Sequence, residues 1–127
     1  MKLDHIQLAI PANEEAKVRT FYGDLLGLQE IEKPDVLKAR GGCWFHLGTQ
    51  QLHLGVEVEF RPAKKAHPAF LMSNYEELQK RLEQEGFEII PDTILKDVER
   101  FYTHDPFGNR LEFVREANSR QQKRGVS

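Results

Sequence analysis

The sequence predicts an α+β fold built from two βαβββ modules, and three observations predict it. The order strand, helix, then three short strands is read twice along the chain. His5 and His67 each open an alternating segment that runs into an amphipathic helix. Further on, "CWFHLGTQQLHL" aligns with "RFYTHDPFGNRLEF", the second hairpin being the longer, and the alignment sets His53 opposite Glu112.

In order, "DHIQLAI" alternates His5, Gln7 and Ala9 with Ile6, Leu8 and Ile10, the pattern of a half-buried strand. The helix of "NEEAKVRTFYGDLLGL" follows, with Asn13 as its cap, Val18, Phe21, Tyr22 and Leu25 on one face and Gly27 as its stop. Strands are expected near 28–32, 38–47 and 51–57, the last two joined by a tight turn at "GTQ". Within "ARGGCWF", Gly41-Gly42 marks a bulge or a close backbone approach, not a phosphate loop, because no helix follows it.

The second module restarts with the strand-like "AHPAFLM". "SNYEELQKRLEQEG" then reads as a helix with a Ser73/Glu76 capping box and Gly86 as its stop. Strands near 87–90, 98–104 and 110–115 complete it. Residues 1–115 thus form one domain of two modules, about 1–58 and 66–115, and 116–127 read as a flexible tail with no apolar period.

Composition narrows the function classes. A formal charge of −2 gives no field that would recommend nucleic acid or an anionic membrane, so a small molecule is the expected partner. No apolar run approaches the ~20 residues of a membrane span. Cys43 is the single cysteine, which excludes an internal disulfide and any cysteine cluster; with no signal peptide at the N-terminus, it points to the cytoplasm. Its expected role is that of a small buried hydrophobe.

Four polar residues interrupt apolar strands at repeat-equivalent places: His5, His53, His67 and Glu112. Period-2 alternation sets each on the face its helix does not cover. If a pseudo-twofold relates the modules, the two pairs can meet. Imidazole nitrogens with a carboxylate oxygen suit a divalent Zn, Ni, Co, Mn or Fe ion better than Ca or Mg. Trp44, Phe45, Phe101 and Tyr102 are read as core and cleft wall, with Trp44, Phe45 and Tyr102 as candidate substrate contacts. His46 and His104 are read as surface residues. Strand edges left bare by such modules are normally covered, which predicts a homodimer.

Across residues 1–115, "DHIQLAI", "FYGDLLGL", "AHPAFLM" and "RFYTHDPFGNRLEF" resemble the vicinal oxygen chelate superfamily of glyoxalases, bleomycin-resistance proteins and extradiol dioxygenases. The resemblance implies a curled mixed sheet around a metal-holding cleft, with His5, His53, His67 and Glu112 at its ligand positions. It also implies that the cleft is shared between the first module of one chain and the second of its mate. Where glyoxalase I carries a glutamate base this chain has His53, which speaks against that proton shuttle and leaves Glu57 as a substitute base if the cleft extends so far. The fosfomycin-resistance branch implies that Tyr102 lies near bound substrate. Arg100, on the same strand face, is then a candidate clamp for a carboxylate or phosphonate. Two functions follow: a metal-dependent lyase, isomerase, transferase or dioxygenase acting on a small anionic or oxygen-rich molecule, or a metal-free drug-sequestering protein of the bleomycin-resistance type.

Overall fold

The computed structural model describes residues 1–116, so the expected tail lies outside the described residues from position 117 onward. The first module contains β1 (His5–Ile10), a helix that starts as α1 (Glu15–Val18) and continues as a π-helical segment (Arg19–Leu25), β2 (Glu30–Ile31), α2 (Asp35–Lys38), β3 (Cys43–Leu47) and β4 (Gln50–Val56). The second contains β5 (Ala69–Met72), α3 (Tyr75–Gln84), β6 (Ile90–Asp92), β7 (Arg100–His104) and β8 (Arg110–Arg115).

Each module forms its own four-stranded mixed sheet, and the two orders are the same: β1-β4-β3-β2 and β5-β8-β7-β6. In both, the first strand runs parallel to the last and the remaining pairs are antiparallel. The duplication read from the sequence is therefore a duplication of topology. The helix-side residues of both modules, among them Ile10, Val18, Phe21, Leu52, Leu54, Leu78, Leu82, Leu111 and Phe113, belong to one continuous core. Burying each such side chain contributes roughly 1.5–3 kcal/mol before chain entropy is set against it.

A buried polar network fastens the modules together. Tyr22 Oη donates to Asp105 Oδ2 at 2.6 Å, and Asn109 Nδ2 donates to Asp105 Oδ2 at 3.0 Å and to the Ala9 carbonyl at 2.8 Å. The Ala63 N–H donates to Asn109 Oδ1 at 2.9 Å. The β7–β8 hairpin of the second module is thereby tied to β1, to the first helix and to the linker. Among the described residues no helix is long and apolar enough to cross a membrane.

Local expectations differ from the structure in several places. Asn13 adopts a φ of +64°, and the helix begins at Glu15 with no side-chain cap. In the expected capping box, the cap position falls on Asn74, and Glu76 pairs with Arg115 of β8 instead of the helix end. Tyr75 faces the core against Phe101, which orients the helix start by burial. The strand expected over 38–47 is shortened to β3, because Asp35–Lys38 turn as a helix and Gly41 and Gly42 take φ values of +75° and +85°. β5 starts at Ala69, so His67 precedes the strand that it was expected to open. Gly27 and Gly86 stand at left-handed helix ends as expected.

Candidate functional site

The first sheet leaves one face free of helices, and β1, β4 and β3 supply its side chains. β1 runs parallel to β4 with Gln7 opposite His53, and β3 is antiparallel with Trp44 opposite His53. Consequently His5 and His53 stack, with ring centroids 4.4 Å apart, and Trp44 stacks on the other side of His53 at 3.9 Å. His53 is 6% exposed despite its polarity. Burial first, then the neighbouring His5, pushes the His53 imidazole below its ordinary value, so the ring is neutral at pH 7.

Tautomers follow from the partners. His5 Nδ1 lies 2.9 Å from Asp4 Oδ2 and donates to it, leaving a lone pair on Nε2. His53 Nε2 lies 2.8 Å from Gln51 Oε1 and donates to it, leaving a lone pair on Nδ1. A carboxylate or amide oxygen holding one nitrogen while the other stays open is the arrangement usual around metal-bound imidazoles.

The second sheet repeats the arrangement. β7 pairs with β8 so that Tyr102 stands opposite Glu112, and Leu111 and Phe113 on either side of Glu112 turn to the core. His67, from the approach to β5, sits edge-on to Tyr102 with centroids 5.4 Å apart and places Nε2 2.9 Å from Glu112 Oε1. Its Nδ1 lies 2.9 Å from the Lys65 carbonyl. Both ring nitrogens thus face acceptors, whereas a neutral imidazole has a single N–H. With Nδ1–H donated to Lys65, the position between Nε2 and Glu112 calls for a cation, a proton or a metal.

The structure therefore brings the four expected ligands together as two pairs, His5 with His53 and His67 with Glu112. Among the described residues of one chain, no group of three or more His, Cys, Asp or Glu side chains is placed to hold a metal. Either pair supplies two donors, fewer than the three or four protein ligands that hold a transition metal firmly. The donor types and open lone pairs fit such an ion, but the number in one chain does not.

Other candidates fall into different places. Phe45 is a correction: it is fully buried in the core, because on β3 it alternates with Trp44 and so turns to the helix side. The alternation that sets Trp44 against His53 turns its neighbour to the other face. Glu57 lies one residue past the end of β4 and is exposed. Arg100 is engaged by two carboxylates, with Nη2 3.0 Å from Asp92 Oδ2 and Nη1 3.4 Å from Glu112 Oε2, while its Nε is buried without a partner. Cys43 is 1% exposed and burial pushes its thiol up to about 11, so it is inert as a nucleophile at neutral pH. His46 and His104 are exposed, as expected.

Sequence reading missed the pocket beside the histidine pair. It measures about 220 Å³ and is lined by Gln7, Lys33, Arg40, Trp44, Gly55 and Val56 among others. Gly55 lets the Gln7 amide, part of the pocket wall, lie against β4, since a Cβ there would stand 2.9 Å from it. A glycine within an alternating strand was the available signal. A larger cavity, about 520 Å³, is a groove between the first helix and α3, and no histidine lines it.

Paired modules, each carrying a nitrogen or oxygen donor pair on its uncovered sheet face, define a class of small-molecule cleft proteins. A profile of the Glyoxalase/Bleomycin resistance protein/Dioxygenase superfamily matches residues 2–113, and the chain belongs to that superfamily. A glyoxalase family protein from Bacillus anthracis is 49% identical, with a TM-score of 0.87 over 92% of this chain and 96% of that one. A genomically encoded fosfomycin resistance protein from Listeria monocytogenes shares 16% identity and a TM-score of 0.75, over 97% of both chains. Lactoylglutathione lyase from Agrobacterium tumefaciens shares 19% identity and a TM-score of 0.69, over 90% of this chain and 92% of that one. The last two likenesses are likenesses of fold. No curated protein matches the sequence.

Proposed function

We propose that the protein is a metal-dependent enzyme acting on a small anionic or oxygen-rich molecule, with a divalent ion held by His5 and His53 of one chain and His67 and Glu112 of a second copy. The observation that carries this reading is His67, whose two nitrogens both face acceptors, so that the contact between its Nε2 and Glu112 is one that a bound ion would satisfy. A divalent ion bound there supplies a Lewis acid for a substrate carbonyl, enolate or leaving oxygen. The chain's own residues do the rest. Asp4, Gln51 and the Lys65 carbonyl orient the imidazoles. Trp44 walls the pocket, and its stacking on His53 shields that ring from water. Tyr102, edge-on to His67, presents its hydroxyl on the same face as Glu112 for contact with a substrate oxygen.

One observation favours a second reading. Arg100 already approaches Glu112, so the chain itself supplies positive charge there, as a metal-free protein that only sequesters a small molecule would require. Metal content separates the two. Protein purified without chelator is expected to carry about one divalent ion per chain by elemental analysis, and His67→Ala or Glu112→Ala to lose it. Absence of metal, with no uptake on dialysis against Zn²⁺, Ni²⁺ or Mn²⁺, would leave the sequestering function.

A further inference from the structure

The expected anion clamp, Arg100, has its donors directed at Asp92 and Glu112. A different guanidinium on the same sheet face is open. Arg110 begins β8 two residues before Glu112, and alternation sets both on the face opposite Leu111 and Phe113. Its Cζ lies 4.1 Å from the centroid of the Tyr102 ring, closer than the 5.8 Å of Arg100. Among the described residues no carboxylate forms an ion pair with Arg110 and no acceptor takes a hydrogen bond from its side chain, although the residue is half-buried. Half-buried guanidiniums usually have an anionic partner, and this one has an aromatic face.

From this we infer that Arg110, seated over the Tyr102 ring, is the residue that selects an oxyanion in the second-module half of the cleft: a carboxylate, phosphonate or phosphate group of the substrate. The inference deepens the proposed function and rests on it for the location of the cleft. The physical reason lies in geometry. The contact with the ring uses no N–H group of Arg110, so its donors stay available as a planar fork that matches two oxygens of one anion. Contact with the tyrosine and partial burial restrict the side chain before the anion arrives, which lowers the entropy lost on binding. Arg100 plays a different part: paired with Asp92, it neutralises Glu112 and is a positioning residue for the carboxylate.

The test uses the full chain stripped of metal on a chelating resin, titrated with inorganic phosphate, with malonate and with uncharged glycerol. Binding is followed by calorimetry and by the Arg Nε–Hε signals in ¹⁵N NMR spectra. Wild-type protein is expected to bind phosphate or malonate and not glycerol, with one Nε–Hε signal shifting and Arg110→Gln removing that signal. Arg110→Gln should weaken anion binding about tenfold or more, and Arg110→Lys at least about threefold, because a point charge lacks the fork. Lys80→Gln, an equal change in net charge on the exposed side of α3, should leave it within about twofold. Equal affinities in Arg110→Gln and wild-type protein, losses in Lys80→Gln as large as in Arg110→Gln, or no anion binding by wild-type protein would each overturn the assignment. Should Arg110→Gln not fold, by its amide spectrum, Arg110→Lys and the wild-type titration decide. Metal uptake is measured separately: anion binding without metal uptake overturns the metal reading alone, and metal uptake without anion binding overturns Arg110 alone.

Discussion

Gly42 illustrates how a single residue positions the site. Its φ is +85°, and a Cβ added there would stand 2.2 Å from the Leu54 carbonyl oxygen, a backbone atom that cannot move without displacing β4. The close approach lets β3 begin at Cys43, opposite Leu54, which in turn places Trp44 over His53. Gly42→Ala is expected to destabilise the fold by about 2 kcal/mol or more, through the left-handed conformation and the clash together. Urea unfolding followed by circular dichroism measures it, and a loss below about 0.5 kcal/mol would mean that β3 and β4 can part without cost. Phe45 and Trp44 teach the complementary lesson. Both are aromatic, yet one step along β3 separates a core residue from a cleft wall.

At the scale of elements, the first helix departs from α geometry along its length, and its first turn sets a neighbouring loop. Its apolar stripe is intact, with Val18, Phe21 and Tyr22 buried, while the Leu26 N–H bonds the Phe21 carbonyl five residues back. Glu15, in its first turn, accepts a 2.8 Å hydrogen bond from the Gly42 N–H and so ties the helix to the entry of β3. That bond holds the Glu15 carboxyl below the ordinary value of 4.5. A folded-state value below the unfolded one contributes stability above the unfolded value, and the contribution is lost as pH falls through the folded value. Glu15→Gln is therefore expected to lower the unfolding free energy at pH 7, read from urea titration, by less than about 1 kcal/mol because the group is only partly buried. The difference from wild type should shrink as pH falls below about 4.5. A difference of the same size at pH 7 and pH 3.5 would show that the carboxylate charge plays no part.

For the whole molecule, the decisive fact is that one core joins the two helix-covered faces while each donor pair stands on its own uncovered face. The network of Tyr22, Asp105 and Asn109 locks that arrangement by linking the second-module hairpin to the first module. A second copy that supplies the missing pair would complete two clefts at once under twofold symmetry. Mixing a His5→Ala chain with a Glu112→Ala chain tests this. In a shared-cleft heterodimer one cleft loses both altered ligands and the other keeps all four, so random exchange should restore metal to roughly one cleft in four. Chains that exchange, by mass spectrometry of the intact dimer, yet recover no metal would show that the pairs do not meet across subunits.

By itself the sequence determined the duplicated topology, the uncovered-face positions of His5, His53 and Glu112, and the helix stops at Gly27 and Gly86. These follow from alternation, helical spacing and glycine geometry, which act over a few residues. The missing caps at Asn13 and Ser73 were beyond it, because burial of Tyr75 and pairing of Glu76 with Arg115 depend on distant strands. Only the tertiary structure decided which guanidinium is free. Arg100 and Arg110 both occupy cleft-face positions, and the difference between them is that the β6–β7 register puts Asp92 opposite Arg100, while Tyr102 lies under Arg110. Pair formation within one chain was decided there too, because it depends on which faces of the two sheets the shared core covers.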